Sequence, residues 1–313
     1  MKKALLITTA LVASTGMASA QNVTSSNADI TLGGYARWGV IYSDPDTPGA
    51  DSSTDITSRW RLQIDATTET DAGVTLGARV RFQVDGSDGD NALTQAEELN
   101  AARFFARMGG LEIGVGNIQG AIEFMPGQYT IDLGLTGLGY DYTVYDGNAD
   151  AYSSGGTGAS TRNGVEVIYG IGDFEVHVSA SESATNDRIA AVVSYEFGNF
   201  TVAAGVQDSD LATDTDWTVA VEGSVGIFDF GVAYADNGDE AAGGGDHWSV
   251  MGRFDVGAAT NVEFYVADAD YFADTSYGVD FNHDLGGGAT MRGGIASLRD
   301  GELRADFGVR FNF

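Results

Sequence analysis

The sequence predicts an all-β protein, a transmembrane antiparallel up-and-down β-barrel of sixteen strands. Three observations predict it. Apolar and polar residues alternate with period two along sixteen short segments, as half-buried strands require. The connections between those segments alternate long and short. The polar face of the early segments carries arginine without lysine, where the solvent face of a soluble sheet would mix both.

Taken in order, the chain begins with an address. Lys2 and Lys3 precede an apolar run from Ala4 to Ala13, and Ala18-Ser19-Ala20 forms a small-residue cleavage site. This is the pattern of a secretory signal peptide over residues 1–20, cut between Ala20 and Gln21. Residues 21–28 then form a short N-terminal extension, and 29–313 the barrel. In the first strand Ile30, Leu32, Ala36, Trp38, Val40 and Tyr42 alternate with Thr31, Gly33, Tyr35, Arg37 and Gly39. In the second, Trp60, Leu62, Ile64 and Ala66 alternate with Arg59, Arg61, Gln63 and Asp65. In the third, Leu76, Ala78, Val80, Phe82 and Val84 alternate with Gly77, Arg79, Arg81, Gln83 and Asp85. Thirteen further strands follow near 101–108, 111–116, 164–169, 173–180, 188–197, 200–206, 217–225, 228–235, 247–254, 260–267, 276–283, 289–296 and 303–313. Tight turns such as Gly109-Gly110 and Gly198-Asn199 alternate with long loops, the longest at 117–162. Strict alternation places all long loops at one end.

A sandwich and a barrel share this pattern but differ in which face meets water. A sandwich buries its apolar face. A transmembrane barrel turns that face to lipid and its polar face to the lumen. Arg37, Arg59, Arg61, Arg79, Arg81, Arg103 and Arg107 occupy alternating positions on consecutive strands, and the only two lysines lie in the signal peptide. Aromatics such as Trp38, Trp60, Phe174, Phe197, Phe200, Trp217, Trp248, Phe311 and Phe313 sit at strand ends, where membrane interfaces favour them. Both features favour the barrel, whose closure also removes edges that lipid would leave unpaired.

Composition excludes several functions. The chain has 45 acidic and 16 basic residues, a net charge of −29, no cysteine and three histidines. That charge is the opposite of a nucleic-acid footprint. Thiol chemistry and disulfides are excluded, and His177, His247 and His283 are scattered rather than spaced as metal ligands. Of the acids, 29 lie in the long loops, so the loop end of the barrel is a negative mouth that attracts cations. Asp85, Asp88 and Asp90, with Gly86 and Gly89, lack the full EF-hand pattern. They read as a solvated acidic loop, with a weak Ca²⁺ site as the alternative.

Several segments carry a family likeness. Ile30-Thr31-Leu32-Gly33-Gly34-Tyr35-Ala36-Arg37-Trp38-Gly39, the stretch from Ile56 through Ala78, Gly114-Val115-Gly116-Asn117, and Phe307-Gly308-Val309-Arg310-Phe311-Asn312-Phe313 together resemble the sixteen-stranded general-diffusion porins of alphaproteobacteria. The likeness is strongest over about the first 120 residues and the last ten, with a compatible rhythm between. It implies a homotrimer in the outer membrane of a Gram-negative bacterium, in contact with lipid and lipopolysaccharide. It also implies a water-filled pore narrowed at mid-height by a long third loop folded into the lumen, here 117–162. In such a pore, wall arginines face acids of the loop. The wall residues correspond to Arg37, Arg59, Arg61, Arg79 and Arg81, and the loop acids to Glu123, Asp132 and Asp141.

Opposed rows of charge produce a field across the constriction that admits small hydrophilic solutes and ions and disfavours apolar ones. Mild cation preference follows from the mouth. Three other readings stay open. One is a channel specific for anionic solutes, built on the arginines. Another is a secreted soluble β-sandwich adhesin. The last, an outer-membrane phospholipase or protease, finds no Ser, His and acid recurring at suggestive spacing; the expectation is a channel without enzymatic activity or cofactor.

Overall fold

The computed structural model describes residues 21–24, 28–87, 99–145, 163–183, 186–210, 212, 214–238 and 244–313. The signal peptide predicted over 1–20 lies outside the described residues. Period-two alternation becomes seventeen strands. They are β1 (Gln21–Thr24), β2 (Asp29–Asp44), β3 (Ser53–Glu69), β4 (Thr75–Ser87), β5 (Arg103–Met108), β6 (Leu111–Gly116), β7 (Asn163–Ile171), β8 (Phe174–Glu182) and β9 (Arg188–Phe197). Then come β10 (Phe200–Ser209), β11 (Asp216–Val225), β12 (Phe228–Asp236), β13 (Asp246–Gly257), β14 (Thr260–Ala269), β15 (Ser276–Gly286), β16 (Ala289–Ser297) and β17 (Leu303–Asn312). No helix occurs among the described residues.

From β2 to β17 each strand pairs antiparallel with its sequence neighbours. β17 then pairs with β2, from Leu303 opposite Asp44 to Asn312 opposite Tyr35, and closes a ring of sixteen. The seventeenth strand is a difference from the expectation. Residues 21–24 are not a free extension. They pair with the start of β2, Gln21 opposite Leu32 and Thr24 opposite Asp29. The reason is a length mismatch: β17 ends opposite Tyr35, leaving the first turn-side residues of β2 with unpaired N–H and C=O groups, and β1 supplies partners for them. Tight turns at the other strand ends use glycine where the chain must turn left-handed. Gly109 and Gly110, with φ of 59° and 89°, supply the two positive values that a two-residue hairpin demands.

Burial is inverted relative to a soluble protein. On β7, Val165, Val167, Tyr169 and Ile171 are exposed, while Glu166 and Ile168 between them are buried. Trp217, Val219 and Val221 on β11 and Trp248 and Val250 on β13 repeat the pattern, with Thr218, His247 and Ser249 on the inside. The exposed set is the lipid-facing band. Near the short turns, Phe174 and Tyr195 lie 4.4 Å apart, and the chain of rings continues through Phe197, Phe200, Phe230 and Phe228 to Phe264. At the β17–β2 closure Trp38 meets Phe311 at 6.0 Å and Trp60 stacks on Phe313 at 6.1 Å. These rings form a belt at one rim, the amphipathic position aromatics favour.

The apolar core sits inside the ring and is built by the loop after β6. Ala121, Ile122, Met125 and Val144 pack on Ala190, Val192, Ala203, Ala220, Ala233 and Ala235 of β9–β12. Ile131, Leu133, Leu138 and Tyr142 pack on Met251, Tyr265, Ala267 and Ala296 of β13–β16. Inward wall positions there are small because the loop fills the space. A β-carbon on Gly205 would come within 2.6 Å of Ile122, and one on Gly231 would overlap Thr130.

Replacing Gly231 by Leu should therefore loosen the loop without opening the ring, at an overpacking cost of about 1–3 kcal/mol. The variant should keep a heat-dependent shift in denaturing gels, while limited chymotrypsin digestion cuts the 117–145 segment faster than in the parent. Equal cleavage rates would contradict this account of the docked loop.

Candidate functional site: a charged constriction in the lumen

The loop that leaves β6 at Asn117 enters the barrel, and its backbone needs acceptors there. The inner wall supplies carboxylates and hydroxyls in sequence order. Gln119 N–H donates to Glu166 at 2.9 Å and Ala121 N–H to Ser179 at 3.0 Å. Thr130 donates through Oγ1 to Glu222, and Asp132 N–H to Glu263 at 3.2 Å. Gly134 N–H reaches Asp280, and the N–H groups of Leu135 and Thr136 grip the two oxygens of Asp306 at 2.9 and 2.8 Å. A succession of such grips, each satisfying a loop donor inside the barrel, is a firm attachment. It follows the wall from β7 round to β17. The loop also reaches β2, where Leu135 covers Gly39 and its carbonyl takes Arg37, and β3 and β4 are left facing the open lumen.

That open wall carries the arginines. The register sets Arg310 of β17, Arg37 of β2, Arg59 of β3 and Asp85 of β4 side by side across four neighbouring strands. Three directly adjacent cations repel unless something intervenes. Asp132 of the loop intervenes for one end, pairing with Arg310 at 2.8 Å and with Arg292 of β16 at 2.9 Å. Arg37, itself buried, donates to the Leu135 carbonyl, and Arg59 pairs with Asp85. One step nearer the short turns, Arg61 donates Nε to Gln83 at 2.6 Å, and below it Arg81 donates to Gln63 at 3.0 Å and Arg79 pairs with Asp65 at 2.6 Å. The Tyr35 ring lies between two of these cations, 4.2 Å from Arg310 and 5.1 Å from Arg61.

The three loop acids expected at the constriction go to different places. Asp132 stands in the arginine row. Burial would raise its pKa, but Arg292 and Arg310 outweigh that and hold it below the ordinary carboxylate range. Glu123 lies on the first arm of the loop, where its charge adds to burial in raising the pKa of the Tyr129 phenol. Asp141 does not face the wall arginines, which corrects the expectation. It is buried at the end of the loop's return arm, accepting from Ser276 Oγ and Arg299 N–H, both at 2.9 Å, with the Arg299 guanidinium 3.6 Å away. Burial raises its pKa despite those donors. Its role is to pin the loop to the long-loop end of the wall, where His247 Nε2 also donates to its carbonyl oxygen, 3.0 Å away.

Arg103 and Arg107 point inward as the alternation requires, and Arg103 is shut off from the open lumen. Arg103 is 1% exposed and clamped by Glu112 and Glu166, while Arg107 shares Glu112. His177 stands 3.2 Å from Glu166 in the same cluster. Of the Ca²⁺ candidates, Asp88 and Asp90 lie outside the described residues, and Asp85 is engaged by Arg59. Sequence reasoning missed Arg292 and Arg310, and it missed the wall carboxylates Glu166, Glu263, Asp280 and Asp306 that hold the loop. The available signal was an acid at inward positions of strands beside alanine and glycine.

Comparison with known proteins comes to the same place. The family model described as Gram-negative porin matches residues 8–303. A porin of Fuscovulum blasticum is 32% identical over 310 residues, covering 91% of this chain and all of the relative. A porin of Rhodobacter capsulatus is 29% identical over 325 residues, again covering 91% and all of the relative. Among solved structures, a mutant of the Rh. blastica porin superposes with a TM-score of 0.79 at 28% identity, covering 91% of this chain and all of that one.

The Asp132 pairing has a pH signature. A carboxylate whose folded pKa is depressed contributes stability that is fully present above its unfolded value, about 4, and lost as pH falls through the lower folded value. Amide exchange of residues 130–136, corrected for intrinsic rates, should show more protection in the parent than in Asp132→Asn, by a margin that is flat from neutral pH down to about 4 and closes below it. A margin absent at neutral pH, or one that closes already between pH 7 and 5, would contradict the pairing.

Proposed function

This chain belongs to the Gram-negative porin family and is an outer-membrane porin, and we propose that it passes small hydrophilic solutes and ions by passive diffusion, with mild cation preference, as a homotrimer embedded in lipid and lipopolysaccharide. The observation that carries this reading is the asymmetric lumen. The loop is docked along β7 to β17, and the β2–β4 wall, with its arginines, borders the remaining passage.

The mechanism is sorting by size and charge. Solutes enter a mouth that holds most of the acidic residues, which raises the local concentration of cations. They then pass between the Arg37, Arg59 and Arg61 row and the Asp132 arm of the loop. Fixed charges of opposite sign across a narrow gap orient water and polar solutes, and an apolar solute gains nothing in exchange for the water it displaces. Arg79 and Arg81, with Asp65 and Gln63, continue the polar lining toward the short-turn side. No catalysis and no cofactor are assigned to this site. Weak Ca²⁺ binding at Asp85, Asp88 and Asp90 would have to compete with Arg59 for Asp85.

The test is reconstitution of the purified protein in a planar bilayer under a KCl gradient. Expected are large steps closing in threes, with a reversal potential on the cation side that shrinks toward 1 M salt, where the screening length is about 3 Å. Asp132→Asn should move the reversal potential toward anions, since it removes the one loop carboxylate paired with Arg292 and Arg310. An anion-side potential in the parent would overturn the cation preference, and absence of steps from heat-modifiable protein would overturn the channel reading.

A further inference from the structure

We propose that the constriction contains a binding subsite for small aromatic carboxylates, with the carboxylate on Arg61 and the ring against Tyr140. The proposal rests on the porin reading and adds a solute class to it.

Arg61 differs from Arg37, Arg59, Arg79, Arg292 and Arg310. Arg59 has Asp85, Arg79 has Asp65, Arg292 and Arg310 share Asp132, and Arg37 has the Leu135 carbonyl. Arg61 gives Nε to the neutral Gln83, and among the described residues no carboxylate or carbonyl is bonded to its two terminal nitrogens. Its charge is therefore uncompensated by direct pairing, next to the Arg310–Arg37–Arg59 row. The Gln83 bond and the Tyr35 ring at 5.1 Å fix the plane of the guanidinium. What remains open is the terminal edge, the donor fork that matches a carboxylate in bidentate geometry. An anion there also relieves repulsion among the neighbouring cations.

Tyr140 supplies the second half. It is 40% exposed inside the lumen. It holds φ of 60° and Leu138 holds 41°, and these are the non-glycine residues with left-handed backbone among those described. Such strain persists where the surroundings hold it and concentrates at binding and catalytic sites. Here it keeps the ring turned out. Tyr142 flanks the ring at 5.8 Å, Tyr129 meets it edge-on at 6.5 Å, and Gly137 leaves the space beneath it. The Leu135 carbonyl bonded to Arg37 and the Leu135 side chain against Gly39 bring this part of the loop onto the β2 wall beside β3, and Tyr140 lies within electrostatic reach of Arg37, Arg59 and Arg61. An aliphatic carboxylate can use only the fork, and a neutral aromatic only the ring.

The test uses open channels of the whole protein in symmetric KCl, with sodium benzoate, sodium acetate or benzyl alcohol added. Benzoate should reduce conductance in a saturating way, at concentrations lower than acetate by roughly two- to tenfold, the share of a ring contact. Benzyl alcohol should give no saturating block. Arg61→Gln should abolish the saturating benzoate effect, and Arg61→Lys, which keeps the charge and loses the fork, should weaken it. Tyr140→Asn, a residue that tolerates the left-handed backbone, should bring benzoate down to the acetate level. Benzoate acting no more strongly than acetate on parent channels that open normally would overturn the subsite and leave the porin reading intact, as would a block that survives Arg61→Gln. Failure of the parent to open in KCl alone would overturn the porin reading and the subsite with it.

Discussion

Lipid offers the backbone no hydrogen-bond partner, and the rest of this structure follows from that constraint. Each strand must satisfy its N–H and C=O groups against another strand, so the sheet closes, and β17 returns to β2. Where β17 runs short, β1 completes the pairing. Closure sends every second side chain outward to hydrocarbon and the rest inward. The inside is therefore polar by default, and a loop that enters it meets carboxylates beside the apolar wall positions it packs on. Glu166, Glu263, Asp280 and Asp306 hold the loop by its backbone amides for this reason.

Charge balance in the lumen is consequently a collective property. Around the narrow part, Arg37, Arg59, Arg61, Arg292 and Arg310 stand against Asp85, Asp132, Glu263, Asp280 and Asp306. Several of these acids lie behind the loop, gripping its backbone, and only Asp132 and Asp85 form ion pairs with the arginine row. The passage thus presents more positive charge to a solute than the local sum contains, while the outer mouth presents the reverse.

The architecture was largely legible in the sequence because period two runs through β2–β17, with register shifts at the turn ends of β13 and β15, and a one-residue slip would turn a strand's apolar face into the lumen. Arg37, Arg59, Arg61, Arg79 and Arg81 were legible for the same reason, being inward positions on consecutive strands. Arg292 and Arg310 were not, because they join the row only through the closure of β17 on β2 and through Asp132, 160 and 178 residues away in the chain. Asp141 was misplaced because nothing in a coil sequence says which arm of a loop faces the gap. Its partners, Ser276 and Arg299, lie at the far end of the chain. β1 was missed because its need arises from where another strand stops.

The alanines and glycines on the inner face of β9–β16 never meet a solute, since the loop lies over them. They nevertheless fix how far the loop stands from the opposite wall. They act as shims: a bulkier residue behind the loop advances it toward the arginines, and a smaller one lets it recede. The bore of the passage is thus adjustable from behind, with every group that lines it unchanged. Related channels could differ in calibre while keeping the same arginines and the same aspartate at the gap.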